Sequence, residues 1–186
     1  RDVLHFKYEL MMKKKSILFI VSIAVLGILS YLGYNVVTKV KEKNAIAEQL
    51  QTIPEFEFFT LEQQPFTKAE LQPNLNTIFI YFKSDCDFCQ YEAQNISDNL
   101  DSFKNVQFIF VSTESIEVIQ DFSKQYNFYN QQNITFLYDN NSLFSSQFDA
   151  TSTPYVLIYD KNQQLIKKHK GQLNVKGILR ALQQNE

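Results

Sequence analysis

Residues 77–96 read TIFIYFKSDCDFCQYEAQNI, and they hold both cysteines of the 186-residue chain, Cys86 and Cys89. Residues 77–82 are apolar at nearly every position, the pattern of a central strand covered on both faces. Beyond the pair, Cys89, Ala93, Ile96, Leu100 and Phe103 recur at steps of four and three, which lines up one face of a helix. The thiols therefore stand in a turn between a buried strand and a helix. Three residues apart, they can close a small reversible disulfide. At the helix start, unpaired N–H groups and the positive end of the helix dipole stabilise a thiolate on Cys86.

The flanking patterns predict an α/β domain. Residues 55–59 (EFEFF) read as a strand, and residues 65–73, bounded by Pro65 and Pro73, as an irregular link. Residues 106–111 (VQFIFV) read as a second buried strand, and Ile116, Ile119, Phe122 and Tyr126 mark the next helix. A short strand at 134–138 and a helical turn at 142–148 follow. Residues 155–159 (YVLIY) and 165–169 flank the turn DKNQQ as a hairpin, and Val175, Ile178, Leu179 and Leu182 close the chain with a helix. Parallel strands joined by helices and ending in an antiparallel hairpin make a mixed sheet with helices on both faces. The 17 Phe and 10 Tyr are expected to fill its core.

The N-terminal part has a different character. Lys13, Lys14 and Lys15 precede residues 16–37, which contain no charge. About 20 apolar residues span a hydrocarbon core of about 30 Å. Residues 16–37 are thus expected to be a single transmembrane anchor, residues 1–15 a cytoplasmic tail, residues 38–53 a stalk and residues 54–186 the folded domain. Residues 1–10 precede Met11 and Met12, where translation is expected to begin. A cleaved signal peptide is the competing reading; no clear A-x-A site directly follows the apolar run, which favours an uncleaved anchor. Residues 1–44 carry eight Lys/Arg against three Asp/Glu, and residues 45–186 carry ten against seventeen. An acidic domain argues against a nucleic-acid partner.

Taken with Thr153-Pro154 ahead of the YVLIYD strand, Glu92 one turn past Cys89, and the closing hairpin and helix, the Cys86-Asp87-Phe88-Cys89 motif resembles the thioredoxin-like fold. Within it the chain resembles membrane-anchored, TlpA-like thiol-disulfide oxidoreductases of bacterial envelopes, with a domain of the redoxin or AhpC/TSA type. The resemblance covers about residues 54–183. It implies Cys86 as nucleophile and Cys89 as resolving thiol, with a redox-active Cys86–Cys89 disulfide and no other cofactor. It implies a cis Pro154 and a Thr153 whose backbone binds the substrate strand. Implied partners are protein disulfide substrates, a membrane thiol-electron donor of the envelope, and the lipid bilayer. The implied location is the bacterial inner membrane, with the redox domain on the periplasmic, extracytoplasmic side.

The chain departs from the family in three places. Asp85 stands where Trp is common, the dipeptide Asp87-Phe88 lacks Pro, and Ile80 occupies the place of a frequent buried carboxylate. Glu92 is the candidate to replace that proton acceptor; a solvated surface carboxylate is the competing reading. Asp85 and Asp87 set like charge beside a thiolate, and Phe88 is expected to desolvate it. A less stabilised thiolate makes a better reductant, so the expected activity is protein-disulfide reduction. A metal chaperone using Cys86, Cys89 and His169 is the alternative, and a binding module whose cysteines only brace its fold is a third. A tetrahedral zinc site needs four N, S or O ligands, and the only histidines are His5 and His169, so no resident metal is expected.

Overall fold

Side-chain alternation along three strands sets up two cores, one on each face of a single sheet. In β3 (Asn76–Tyr81), Ile78 and Ile80 enter one core and Phe79 the other. In β4 (Val106–Ser112), Phe108 and Phe110 oppose Ile109 and Val111. In β6 (Tyr155–Tyr159), Val156 and Ile158 oppose Tyr155, Leu157 and Tyr159. All of these are buried, as strands covered on both faces require. The computed structural model describes the backbone of residues 2–184 and the side chains of residues 26–184.

The chain divides into two units, Arg1–Ala45 and Ile46–Glu186. The second contains seven strands: β1 (Glu57–Thr60), β2 (Pro65–Thr67), β3, β4, β5 (Ile134–Tyr138), β6 and β7 (Leu165–Lys170). Their order is β2-β1-β5-β4-β3-β6-β7. β3, β4 and β5 run parallel, while β6 and β7 continue one side as an antiparallel hairpin and β1 and β2 the other. Helices α2 (Asp87–Ser97), α3 (Ile116–Gln125) and α5 (Val175–Gln183) pack through Ala93, Ile96, Ile119, Phe122 and Ile178 on one face. The short α4 (Phe144–Gln147) and residues from Leu50 to Phe58 cover the other. Phenylalanines fill both cores: Phe144 stacks on Phe148 at 4.3 Å, and Phe110 on Phe136 at 4.8 Å.

Two segments differ from expectation. The link from Pro65 contains β2, a short edge strand paired with β1, followed by a 3-10 turn at Lys68–Glu70. Pro65 opens that strand, where its missing N–H costs nothing in an interior ladder. The segment read as a stalk contributes to the folded unit. Leu50 and Ile53 are each 1% exposed, and Leu165 N donates to Gln51 O at 2.8 Å while Ile53 N donates to Gln163 O at 3.2 Å. The compact unit thus begins at Ile46, ahead of Pro54.

Helix α1 (Asp2–Gln49) makes up most of the first unit, and its last residues, from Ile46 on, belong to the second. Leu26, Ile28, Leu29, Leu32, Val36 and Val37 along it are each more than half exposed. Among the described residues no helix is long and apolar enough to cross a membrane. The side chains of residues 16–25, the first part of the expected anchor, and of the expected tail 1–15 lie outside the described residues.

Candidate redox site

The β3–α2 turn and the start of β6 converge because of strand register. β3 and β6 are antiparallel with Tyr81 opposite Tyr155. The residues after Tyr81 therefore lie beside those before Tyr155. Cys86 is the N-cap of α2, and its Sγ accepts a hydrogen bond from Cys89 N at 3.4 Å. The same sulfur lies 3.7 Å from Thr153 O, as a donor to that carbonyl. The Thr153–Pro154 bond is cis. The structure thus brings together Cys86, Cys89, Thr153 and Pro154.

The two sulfurs differ in access. Cys86 is partly exposed and Cys89 is 3% exposed. Burial pushes the Cys89 thiol well above its ordinary range, and the Cys86 thiol and the Glu92 carboxyl act in the same direction. Cys89 is therefore a protonated thiol at neutral pH. Glu92 sits one turn further along the same helix face and is 1% exposed, which removes the surface reading. Its Oε1 accepts from Leu173 N at 3.4 Å, while Oε2 has no partner among the described residues. Burial raises this carboxyl from 4.5 to about 8, opposed in part by the Leu173 N–H.

His169 lies on the edge strand β7, with Nε2 3.0 Å from Gln172 O. Among the described residues no three His, Cys, Asp or Glu side chains are placed to share a metal ion, so His169 does not join the cysteine pair. Asp85, Asp87 and Lys83 are exposed around Cys86. Phe88 is 65% exposed, so the desolvation expected of it is small.

Three further side chains brace the turn: Ser84, Gln90 and Glu114. Glu114, in the β4–α3 loop, accepts from Ser84 N and Ser84 Oγ, both at 2.7 Å. Gln90 Nε2 donates to Ser84 O at 2.7 Å. No local sequence signal marks this arrangement, because Ser84 and Glu114 meet only through the parallel pairing of β3 with β4.

A dithiol at a helix N-terminus beside a cis-proline, carried on this sheet, defines a thioredoxin-like redox domain of the thiol-disulfide oxidoreductase and peroxiredoxin kind. Residues 50–170 match the AhpC/TSA family, and the chain belongs to that family. Solved structures share the fold. MTB dsbF is 21% identical with a TM-score of 0.59, covering 74% of this chain and 97% of its own. A secreted Mycobacterium tuberculosis disulfide oxidoreductase, homologous to E. coli DsbE, is 22% identical with a TM-score of 0.57, covering 72% and 96%. Peroxidoxin BcpB from Mycobacterium tuberculosis is 14% identical with a TM-score of 0.62, covering 73% and 96%. No curated protein matches the chain.

Proposed function

We propose that the chain is a membrane-anchored thiol-disulfide oxidoreductase that reduces protein disulfides in the bacterial cell envelope. The observation that carries this reading is the Cys86 sulfur, partly exposed at the helix N-terminus, with Cys89 N at 3.4 Å and Thr153 O at 3.7 Å. The Cys86 thiolate attacks one sulfur of a substrate disulfide. A mixed disulfide forms, and the first substrate thiolate leaves. Cys89 then loses its proton and attacks Cys86 Sγ, forming the Cys86–Cys89 disulfide and releasing the second substrate thiol. Two electrons pass from the dithiol to the substrate. A dithiol donor of the membrane returns the pair to its reduced form.

Glu92 is the group placed to handle the Cys89 proton. A carboxyl titrating at about 8 gains and loses a proton near neutral pH, where an acid–base catalyst is most effective. Thr153, next to the reacting sulfur, offers its backbone to an extended substrate segment, and Pro154 shapes that approach. A metal chaperone has no support in the placement of His169.

Exposed Asp85 and Asp87 flank the nucleophile, and the direction assigned to the exchange is reduction. The reduction potential of the pair, measured by equilibration with glutathione, is expected nearer the thioredoxin value of about −270 mV than the strong-oxidant value of about −120 mV. A potential at the oxidising end reverses the direction. The uncharged run 16–37 and the exposed apolar side chains of α1 support the anchor. Carbonate-washed membranes are expected to retain the full chain and to release a chain lacking residues 1–44; a full chain found in the supernatant removes the anchor.

A further inference from the structure

Within the redox turn Cys86 N donates to Lys83 O at 3.4 Å, Cys89 N to Cys86 Sγ at 3.4 Å and Gln90 N to Cys86 O at 3.0 Å. The turn is also tied to a neighbouring strand, at Ser84, two residues before the nucleophile. Ser84 commits all three of its polar groups. Its N–H and its hydroxyl each donate at 2.7 Å to separate oxygens of the Glu114 carboxylate. Its carbonyl accepts from Gln90 Nε2 at 2.7 Å. The carboxylate is itself fixed. Ser112, fully buried at the end of β4, donates its hydroxyl to Glu114 Oε2 at 3.2 Å and accepts from Glu114 N at 3.2 Å. The chain of contacts therefore runs from the buried strand β4, through Ser112 and Glu114, to Ser84 and the thiol turn. Two charge-assisted bonds in a fork fix orientation as well as distance.

We infer that Glu114 is a positioning residue for thiol–disulfide exchange, acting through Ser84 to aim Cys86 Sγ. The inference rests on the exchange reading given above. Exchange needs the attacking sulfur nearly in line with the disulfide it breaks, whereas alkylation by a small reagent depends on the thiolate and little on aim. A clamp that only aims the sulfur therefore affects the first reaction and spares the second.

The test compares the reduced full chain with its E114A, S84A and S84A/E114A variants. Each is mixed with a short disulfide-bonded peptide and, separately, with iodoacetamide at one pH. E114A is expected to slow exchange by about tenfold or more while alkylation stays within about twofold. S84A keeps its backbone N–H bond to Glu114 and is expected to lose about threefold in exchange. The double variant is expected to be no slower than E114A, because both substitutions cut the same link. Unchanged exchange in E114A overturns the proposal, as does a parallel loss in both reactions, which assigns Glu114 to thiolate formation. If E114A does not fold, S84A decides: slower exchange with normal alkylation supports the clamp, and equal exchange refutes it. A parent chain that alkylates normally but exchanges with no disulfide sinks the exchange reading itself, and the clamp's purpose with it.

Discussion

Cys86→Ser is expected to abolish thiol–disulfide exchange, with a loss on the order of 10³-fold or more, while Cys89→Ser stops each molecule after a single attack. A serine hydroxyl is not ionised at neutral pH, and it cannot form a disulfide. The Cys89→Ser variant keeps the partly exposed attacking sulfur but lacks the thiol that expels the substrate. It should accumulate as a covalent mixed disulfide, visible as a mass increase on non-reducing gels and reversed by dithiothreitol. The reciprocal variant should trap nothing, because its remaining sulfur, on Cys89, is 3% exposed. Trapping on Cys86→Ser in place of Cys89→Ser would exchange the two roles. Normal exchange by Cys86→Ser would leave the pair a brace for the fold.

The second large effect belongs to Glu92. Its carboxyl titrates at about 8 in the folded chain against an ordinary value of 4.5. Between those values the native state holds a proton that the unfolded chain lacks. Stability therefore falls as pH rises from about 4.5 to about 8, by up to roughly 1.4 kcal/mol per unit and a few kcal/mol in all. Below that window both states are protonated, and above it both are ionised, so this contribution is flat. Glu92→Gln removes the proton and the slope while keeping an acceptor for Leu173 N. The variant is expected to be more stable than the parent at pH 8 and close to it at pH 5, as read from urea midpoints at the two values. Resolution of the mixed disulfide should slow by about 10- to 100-fold, because the amide cannot take the Cys89 proton. Parallel stability profiles for parent and variant would show that the carboxyl is already ionised in the fold.

The sequence made the strand–turn–helix around the cysteines readable because all three parts are contiguous and each has its own periodicity. The hairpin and closing helix were readable for the same reason. Thr153-Pro154 could be brought to the site only through resemblance, since 67 residues separate Thr153 from Cys86 and the β3–β6 register joins them. Glu92 shows a different limit. Spacing placed it on the helix face of Cys89, but only the packing of the Leu173 loop against that face decided that it is buried. Glu114 was illegible, because a Ser-x-Glu run after a strand looks like any polar turn. Leu50 and Ile53 were hidden within a mostly polar segment. Pro65 argued against the strand that it opens.

The unequal exposure of the two sulfurs has a kinetic corollary. Only one of them offers itself to solvent, so on the proposed exchange reading the electron donor and the substrate must call at the same doorway. Neither visitor can wait behind the other, and no third body holding both can be productive. Traffic through the site is strictly alternating, and raising the level of one visitor far enough shuts out its counterpart.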